Sequence, residues 1–550
     1  MGLNSISAFE DTNQRAGELL AKWNSVMAPL GNAQRLAWYN AFTEGTEDAT
    51  GRSRQADDEL DRVFSNQEVF QAVDRLLHDP NLTEPLAKRQ CEILHCSMLG
   101  KQIAQARLEA INAQAKRIER QFNTFRGTVD GLELSSNQIG QILATSGDPA
   151  ELKTAWEAQK SVGALVRSEL AELVHKRNEV AHQLGIRDYF ALRMKELEQD
   201  EGELVRMFDE LDSLTKGPFL QLKGEVDRRL AHRLSIPTNE LMPWHYQNPF
   251  FQSPPKVFDS GLDRLYETVD ILDVARKFYS GIGLDVSDIL ARSDLYERPG
   301  KTQHAFAFDI DRAGDVRIIV NIVPSLYWQS TVLHELAHAL NFGNVSRELP
   351  WILREATHTY TSEGIALMFE GLVYNPAWAT EMGIVDREIT PMMLAESRTQ
   401  RAFELLQFSR FTQVMFRFER AMYANPDHDL NRTWWDLVEE YQALRRPPGR
   451  DGSEYADYAS KIHIATLPVY YHNFMLGQLF AAQLHEAIAS LIGAQPNEVT
   501  FVARREIGEF LLSKVFAPGR SVRHDIFVED ATGAKLSVNA FVHRLQGLCS

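Results

Sequence analysis

Thr331-Val332-Leu333-His334-Glu335-Leu336-Ala337-His338-Ala339-Leu340 sets two histidines and a glutamate within an apolar run. It contains a complete H-E-x-x-H. On a helix, positions i and i+4 share a face, so His334 and His338 can aim both imidazoles at one metal ion. Glu335 lies one residue round, where it can hold and deprotonate a water on that ion. The flanking Val332, Leu333, Leu336, Ala337 and Leu340 make the helix largely apolar, so it belongs inside the protein. Buried histidines need partners, and a metal is a common one. A solvated helix with two incidental histidines is the competing reading. Chance matches to the motif number only about 0.03 per chain of this composition. A catalytic zinc site takes three protein ligands and keeps one open position. Glu363, in Thr361-Ser362-Glu363-Gly364 on a second predicted helix, is the candidate third ligand.

Working outward, helical periodicity dominates. Leu19, Leu20, Trp23, Val26, Met27 and Leu30 recur at helical spacing over residues 10–45. Gly31-Asn32 is expected to break this helix, with a second following through Trp38 and Phe42. A proline-free, charged pattern predicts one long helix from Glu84 to Phe125, ending near Arg126-Gly127. Residues 150–217 repeat the pattern, with Gly185-Ile186-Arg187-Asp188-Tyr189 as a turn and helix cap. Helices continue to His232. The aromatic, proline-rich stretch 237–255 is too apolar for a linker, and residues 258–280 return to helix. Residues 390–445, and the segment from Phe474 to Leu491, read as helix. Glu506 to Leu548 reads as two helices around Pro518-Gly519.

Strand signals are few. His304-Ala305-Phe306-Ala307-Phe308-Asp309-Ile310 and Val316–Val323 read as a hairpin with His304 opening its first strand. Such an edge beside a metalloprotease helix can hold an extended peptide by main-chain hydrogen bonds.

The 550 residues are 44% hydrophobic and carry 58 Lys and Arg against 75 Asp and Glu, a net charge of −17. That balance argues against nucleic acid and against anionic membrane surfaces. Cys91, Cys96 and Cys549 make no disulfide framework. No apolar run reaches the roughly 18 residues a membrane span needs. A reducing cytoplasm fits best, and a chain relieved of an export signal would read the same, which keeps the periplasm open.

A tetrahedral intermediate of amide hydrolysis needs neutral or cationic donors facing its oxyanion. His463 with Tyr470 or Tyr471 combines such donors in one short segment. Core aromatics beside a helix start are the alternative reading.

Taken together, these residues resemble the angiotensin-converting enzyme family of zinc peptidyl-dipeptidases, in its compact bacterial form. Leu349-Pro350, Arg354-Glu355 and Ser362-Glu363-Gly364 follow the H-E-x-x-H in the family's order. His304-Ala305-Phe306-Ala307-Phe308-Asp309 resembles the family's substrate strand, which implies that His304, Ala305 and Ala307 contact bound peptide. Lys461-Ile462-His463-Ile464 resembles the segment whose lysine holds the substrate's C-terminal carboxylate and whose histidine serves the transition state. Phe251-Gln252 resembles the stretch supplying a glutamine to that pocket. The match covers roughly residues 150–545. It implies a mainly α fold: a two-lobed helical ellipsoid with a deep cleft and a small antiparallel hairpin beside the zinc helix. Residues 1–550 would form one peptidase domain. Within it, 1–125 would be lid and wall helices, 300–375 the hairpin and zinc-binding helices, and 455–550 the catalytic and carboxylate-pocket helices. One Zn2+ and short peptides with a free C-terminus are the implied cofactor and partners.

The sequence departs from the family at several places, among them the absence of the family's disulfides and a shorter spacing from His463 to the tyrosines, which leaves the choice between Tyr470 and Tyr471 open. The family's aspartate four residues after the glutamate ligand is Leu367 here, so another acceptor must orient the ligands, and Glu370 is the nearest choice. Val469-Tyr470-Tyr471-His472 contains no arginine where the family binds chloride, so little chloride activation is expected. Tyr471 is favoured over Tyr470 as the catalytic tyrosine. An oligoendopeptidase of the thimet-oligopeptidase type and a metal-free scaffold are the competing functions. Lys461 and the substrate strand weigh against the former, and intact ligands with Glu335 against the latter.

Overall fold

The computed structural model describes residues 3–258, 260–385, 390–496 and 498–549, leaving aside the side chains of residues 3–11. Among the described residues there are 21 α-helices and two antiparallel two-stranded sheets, so the chain is mainly α. No helix of the described residues is long and apolar enough to cross a membrane. Two compact units form. The first takes Met1–Gln102, Gly261–Pro391 and Leu476–Arg544; the second takes Ile103–Ser260, Met392–Met475 and Leu545–Ser550.

In the first unit the helix Leu3–Glu44 runs unbroken through Gly31, contrary to the expected break. The glycine serves packing. A Cβ there would stand 2.7 Å from the Trp351 indole, so its absence lets that ring close on the helix. Ala16, Leu20, Trp23 and Met27 join Val73, Cys91, Leu94, Ile352 and Leu353 in one apolar core. That core anchors the Trp351–Leu353 turn, which precedes the second metal-site helix. The far end of Leu3–Glu44 covers the hairpin: Tyr39 and Phe42 pack on Phe306, Phe308, Ile310 and Ile319.

The hairpin pairs Phe306–Asp309 with Val316–Ile319, Ala307 facing Ile318. Its turn is closed by the Arg312 N–H donating to Asp309 Oδ1 at 2.8 Å. His304 and Ala305 precede the strand rather than open it. The outer edge of Val316–Ile319 is occupied by Asp294, which bridges to Ile319. Phe306–Asp309 therefore keeps the free edge among the described residues.

Other expectations need correction. The single helix from Glu84 to Phe125 is two, Pro85–Leu99 and Gln105–Thr124. Gly100 ends the first, and the chain there crosses from one unit to the other. A hairpin of Arg126–Val129 with Leu132–Ser135 follows, turning at Asp130-Gly131 with φ of 49° and 80°. Asp-Gly is the two-residue turn that tolerates positive φ, so its signal was in the sequence. Residues 258–280 reduce to a 3-10 turn, Asp263–Leu265, and the helix Ile271–Gly281; Asp259 lies outside the described residues. The tail is not two helices. Arg505–Phe510 runs into a π-helical turn, Leu511–Phe516, and a 3-10 turn at Gly519–Ser521 precedes His524–Thr532 and Asn539–Cys549.

In the second unit the helices Pro149–Gln183, Glu201–Leu234 and Pro391–Ala424 are the longest. Asp188 caps its helix as expected, accepting the Ala191 N–H at 2.8 Å. The aromatic stretch folds as short 3-10 turns, with Trp244, Tyr246 and Phe251 buried.

Candidate functional site

The helix Leu326–Gly343 carries both histidines. Ser325 starts it, its hydroxyl accepting the Trp328 N–H at 3.2 Å. Val332, Leu333, Leu336 and Ala337 are fully buried, and the Tyr279 hydroxyl donates to the Leu333 carbonyl at 2.6 Å. The helix is therefore clamped on its apolar side, which holds His334 and His338 on the other. Glu363 comes from the helix Thr359–Glu370. Gly364 lets that helix lie against Gly477 and Phe480 of the helix His472–Leu491: a Cβ on Gly364 would meet Phe480 at 2.6 Å and the Gly477 carbonyl at 2.9 Å. A Cβ on Gly477 would stand 3.1 Å from the Glu363 Cβ. Two missing side chains thus set where Glu363 stands.

The three expected ligands converge. His334 Nε2 lies 3.2 Å from His338 Nε2, and Glu363 Oε2 lies 3.8 Å and 4.0 Å from these nitrogens. Those edges define one point about 2.1 Å from all three atoms, matching zinc bonds of roughly 2.0–2.2 Å to nitrogen and oxygen. This is the one group of three or more metal-capable side chains among the described residues. The other imidazole nitrogens are held from outside. His334 Nδ1 contacts Glu370 Oε2 at 2.9 Å, and His338 Nδ1 contacts Ser362 Oγ at 2.8 Å. A protonated Nδ1 facing a carboxylate leaves Nε2 with its lone pair toward the ion. Glu370 occupies the role that Leu367 cannot. Ser362 sits inside the quoted motif, but nothing in its spacing announced that it faces His338.

Charge in this group suits a dication. Burial pushes the Glu335 carboxyl up to about 7, with His334 opposing and Glu363 and Glu370 adding. Burial likewise raises Glu363. His334 is lowered by burial, but the hydrogen bond and charge of Glu370 outweigh that and hold it at about 9. Burial, then the neighbouring His334, pushes His338 well below its ordinary value. Three carboxylates around two imidazoles leave surplus negative charge, which a divalent cation would offset. The donor set, its spacing and its charge all fit zinc.

The second unit assembles another expected set. Lys461, 5% exposed, donates to Gln252 Oε1 across 209 residues of sequence. Its ammonium lies 5.2, 5.1 and 5.1 Å from the ring centroids of Phe250, Phe411 and Tyr471. Burial pushes Lys461 down to about 7. Gln252 is placed by a tied loop: the Phe251 carbonyl accepts from Gln407 and Gln442, and Asn248 Oδ1 accepts the Gln252 N–H at 3.2 Å. The His463 ring lies 5.4 Å from Tyr471, whereas the Tyr470 ring packs on Phe474 at 5.3 Å. Burial and Lys461 lower His463 to about 3, and burial raises the Tyr471 phenol, so both are neutral donors. His463 Nδ1 is buried with no hydrogen-bond partner among the described residues.

The chain that follows His463 is held at two points. Arg177 donates to the Ala465 carbonyl at 2.6 Å, and Glu419 Oε1 accepts the Val469 N–H at 2.8 Å. Val469 stands at φ 53°, a left-handed conformation that β-branched residues avoid. Phe250 belongs to the aromatic loop expected to pack against a cleft, whereas Phe411 was missed because a helix-periodic aromatic reads as core.

A mainly α chain with an H-E-x-x-H helix, a glutamate from a following helix and a carboxylate orienting the first imidazole has the centre of a zinc metallopeptidase. The model of the angiotensin-converting enzyme family matches residues 10–246 and 247–549, and the chain belongs to that family. It is a zinc metallopeptidase of that type. A search of curated proteins finds no match.

Proposed function

We propose that this chain is a peptidyl-dipeptidase that releases dipeptides from the free C-termini of short peptides, using one zinc ion. The observation that carries this reading is Lys461: a buried cation with a glutamine and three rings around it and no carboxylate partner among the described residues. A free C-terminal carboxylate supplies the missing charge, which would favour peptides with a free C-terminus. His334, His338 and Glu363 would hold the zinc, which when bound polarises the scissile carbonyl and acidifies water to about pKa 7. Glu335 takes the proton of the attacking water and passes it to the leaving amine. His463 and Tyr471, both neutral, donate to the developing oxyanion. The free edge of Phe306–Asp309 pairs with extended peptide, with His304, Ala305 and Ala307 alongside.

Short peptides are the partners; the net charge of −17 disfavours nucleic acid and anionic lipid. The cytoplasm is the proposed compartment, and export to the periplasm would demand no other change in the reading. With no arginine in Val469–His472, chloride should change turnover little.

The test is mass spectrometry of products from a pentapeptide blocked at its N-terminus, as free acid and as C-terminal amide. Dipeptide release from the acid alone supports the reading. Equal cleavage of both at internal bonds replaces it with an oligoendopeptidase.

A further inference from the structure

Between His463 and Tyr471 the chain ends one short helix, Ile462–Thr466, and starts another, His472–Leu491. It turns through Leu467-Pro468-Val469-Tyr470, and Val469 takes the strain at φ 53°. A β-branched residue in the left-handed region crowds its own backbone, so Val469 stays there only while its surroundings hold it. Polar groups from separate segments surround this turn. On one side Arg177 donates to the carbonyls of Ile464 and Ala465, at 3.4 and 2.6 Å. On the other, the Gln199 amide joins His472 Nε2 and Asn473 Oδ1, each at 2.7 Å. Among the described residues neither bonds to Val469.

Glu419 does. It lies on the helix Pro391–Ala424, is 2% exposed, and accepts the Val469 N–H on Oε1 at 2.8 Å. Among the described residues this is the carboxyl's one hydrogen bond. Burial pushes Glu419 up to about 8, with the Val469 N–H, Arg177 and Arg193 opposing. A carboxyl taken out of water for a single backbone N–H is a poor way to fill a core, where leucine would pack with no polar atom to satisfy. The same helix also meets the far end of the turn: Phe411 packs edge-on to the Tyr471 ring at 5.3 Å. Tyr471 is thus fixed at its ring by Phe411 and, two residues upstream, at the backbone by Glu419. Its ring meets that of His463 at 5.4 Å.

We propose that Glu419 is a positioning residue for the reaction: by holding the Val469 N–H it keeps the left-handed turn that brings the Tyr471 phenol beside His463. The inference rests on the reading of His463 and Tyr471 as donors to the oxyanion. If Val469 relaxes to negative φ, the peptide planes after it rotate, and Tyr471 leaves its place. A group displaced by about 1 Å can cost on the order of 100-fold in rate. Lys461 and Gln252 bond to each other without Glu419, so capture of the peptide before reaction does not depend on it. Glu419 acts through the backbone and not on the substrate.

The experiment measures kcat and KM for the blocked free-acid pentapeptide in wild type, Glu419→Gln, Glu419→Leu, Glu419→Leu combined with Val469→Gly, and Tyr471→Phe, each at equal zinc content and checked by circular dichroism. Glu419→Leu should lower kcat by about 10- to 100-fold and leave KM within about twofold. Glu419→Gln keeps an acceptor for the N–H and should stay within about threefold of wild type. Glycine adopts φ 53° without strain, so adding Val469→Gly should return most of the kcat lost in Glu419→Leu. A wild-type kcat in Glu419→Leu, a loss in Glu419→Gln as large as in Glu419→Leu, or no recovery on adding Val469→Gly overturns the proposal while leaving the donor reading standing. A wild-type kcat in Tyr471→Phe removes the donor reading and the inference with it. Should Glu419→Leu fail to fold, Glu419→Ala decides between the same outcomes, and Val469→Asn, which also tolerates positive φ, replaces a Val469→Gly that fails.

Discussion

Replacing Glu370 by Gln should weaken zinc binding by 10- to 100-fold without unfolding the protein. Glu370 lies seven residues after Glu363, which is about 20° short of two full turns and roughly 10 Å along the axis. The two carboxylates therefore leave the same face of Thr359–Glu370, and Glu370 reaches His334 Nδ1 at 2.9 Å. Leu367, one turn after Glu363 on that face, offers no oxygen. Gln at 370 keeps an acceptor of similar reach but removes the charge that stabilises the Nδ1–H tautomer. Outer partners of metal-bound histidine typically carry 10–100-fold in metal affinity, or about 1.4–2.7 kcal/mol. Glu370→Leu, which removes the acceptor as well, should fall at or beyond the upper end. The assay is competition for zinc with a chromophoric chelator, with circular dichroism confirming the fold. Wild-type affinity in both variants would refute the reasoning, because His334 would then owe its orientation to packing alone.

Glu335→Gln should abolish turnover yet bind zinc as wild type does, read from metal content after dialysis beside the peptide assay. Lys461 is held at about 7, so it is charged below that pH and neutral above it; KM for free-acid peptides should climb as pH rises through 7. An unchanging KM between pH 6 and about 9 would remove Lys461 from carboxylate capture. Gly364→Ala places a methyl 2.6 Å from Phe480 and 2.9 Å from the Gly477 carbonyl, so it should cost about 1–3 kcal/mol in thermal unfolding and weaken zinc binding by displacing Glu363. Zinc affinity equal to wild type would show that Glu363 does not depend on that contact.

The features legible from residue order alone are local. The i, i+4 spacing of His334 and His338 puts them on one face whatever surrounds the helix, and Asp188 caps its helix within one turn. Helical periodicity carried the mainly α class for the same reason: each residue's partners lie three or four positions away. The Asp130-Gly131 hairpin was also legible there, but its strands of four residues are too short for a clear alternation. Tertiary structure decided the rest, through partners distant in the chain. Gly31 reads as a break until Trp351 is seen filling the space beside it, 320 positions on. Glu370 could be named from the sequence because Leu367 offers no oxygen, whereas Ser362 is one among many polar residues until helix packing turns it toward His338 Nδ1. Lys160 and Lys461 are ordinary surface lysines by composition. Their burial around Phe250 follows from how separate segments close on one another, and no pattern within a single turn of helix encodes that closure.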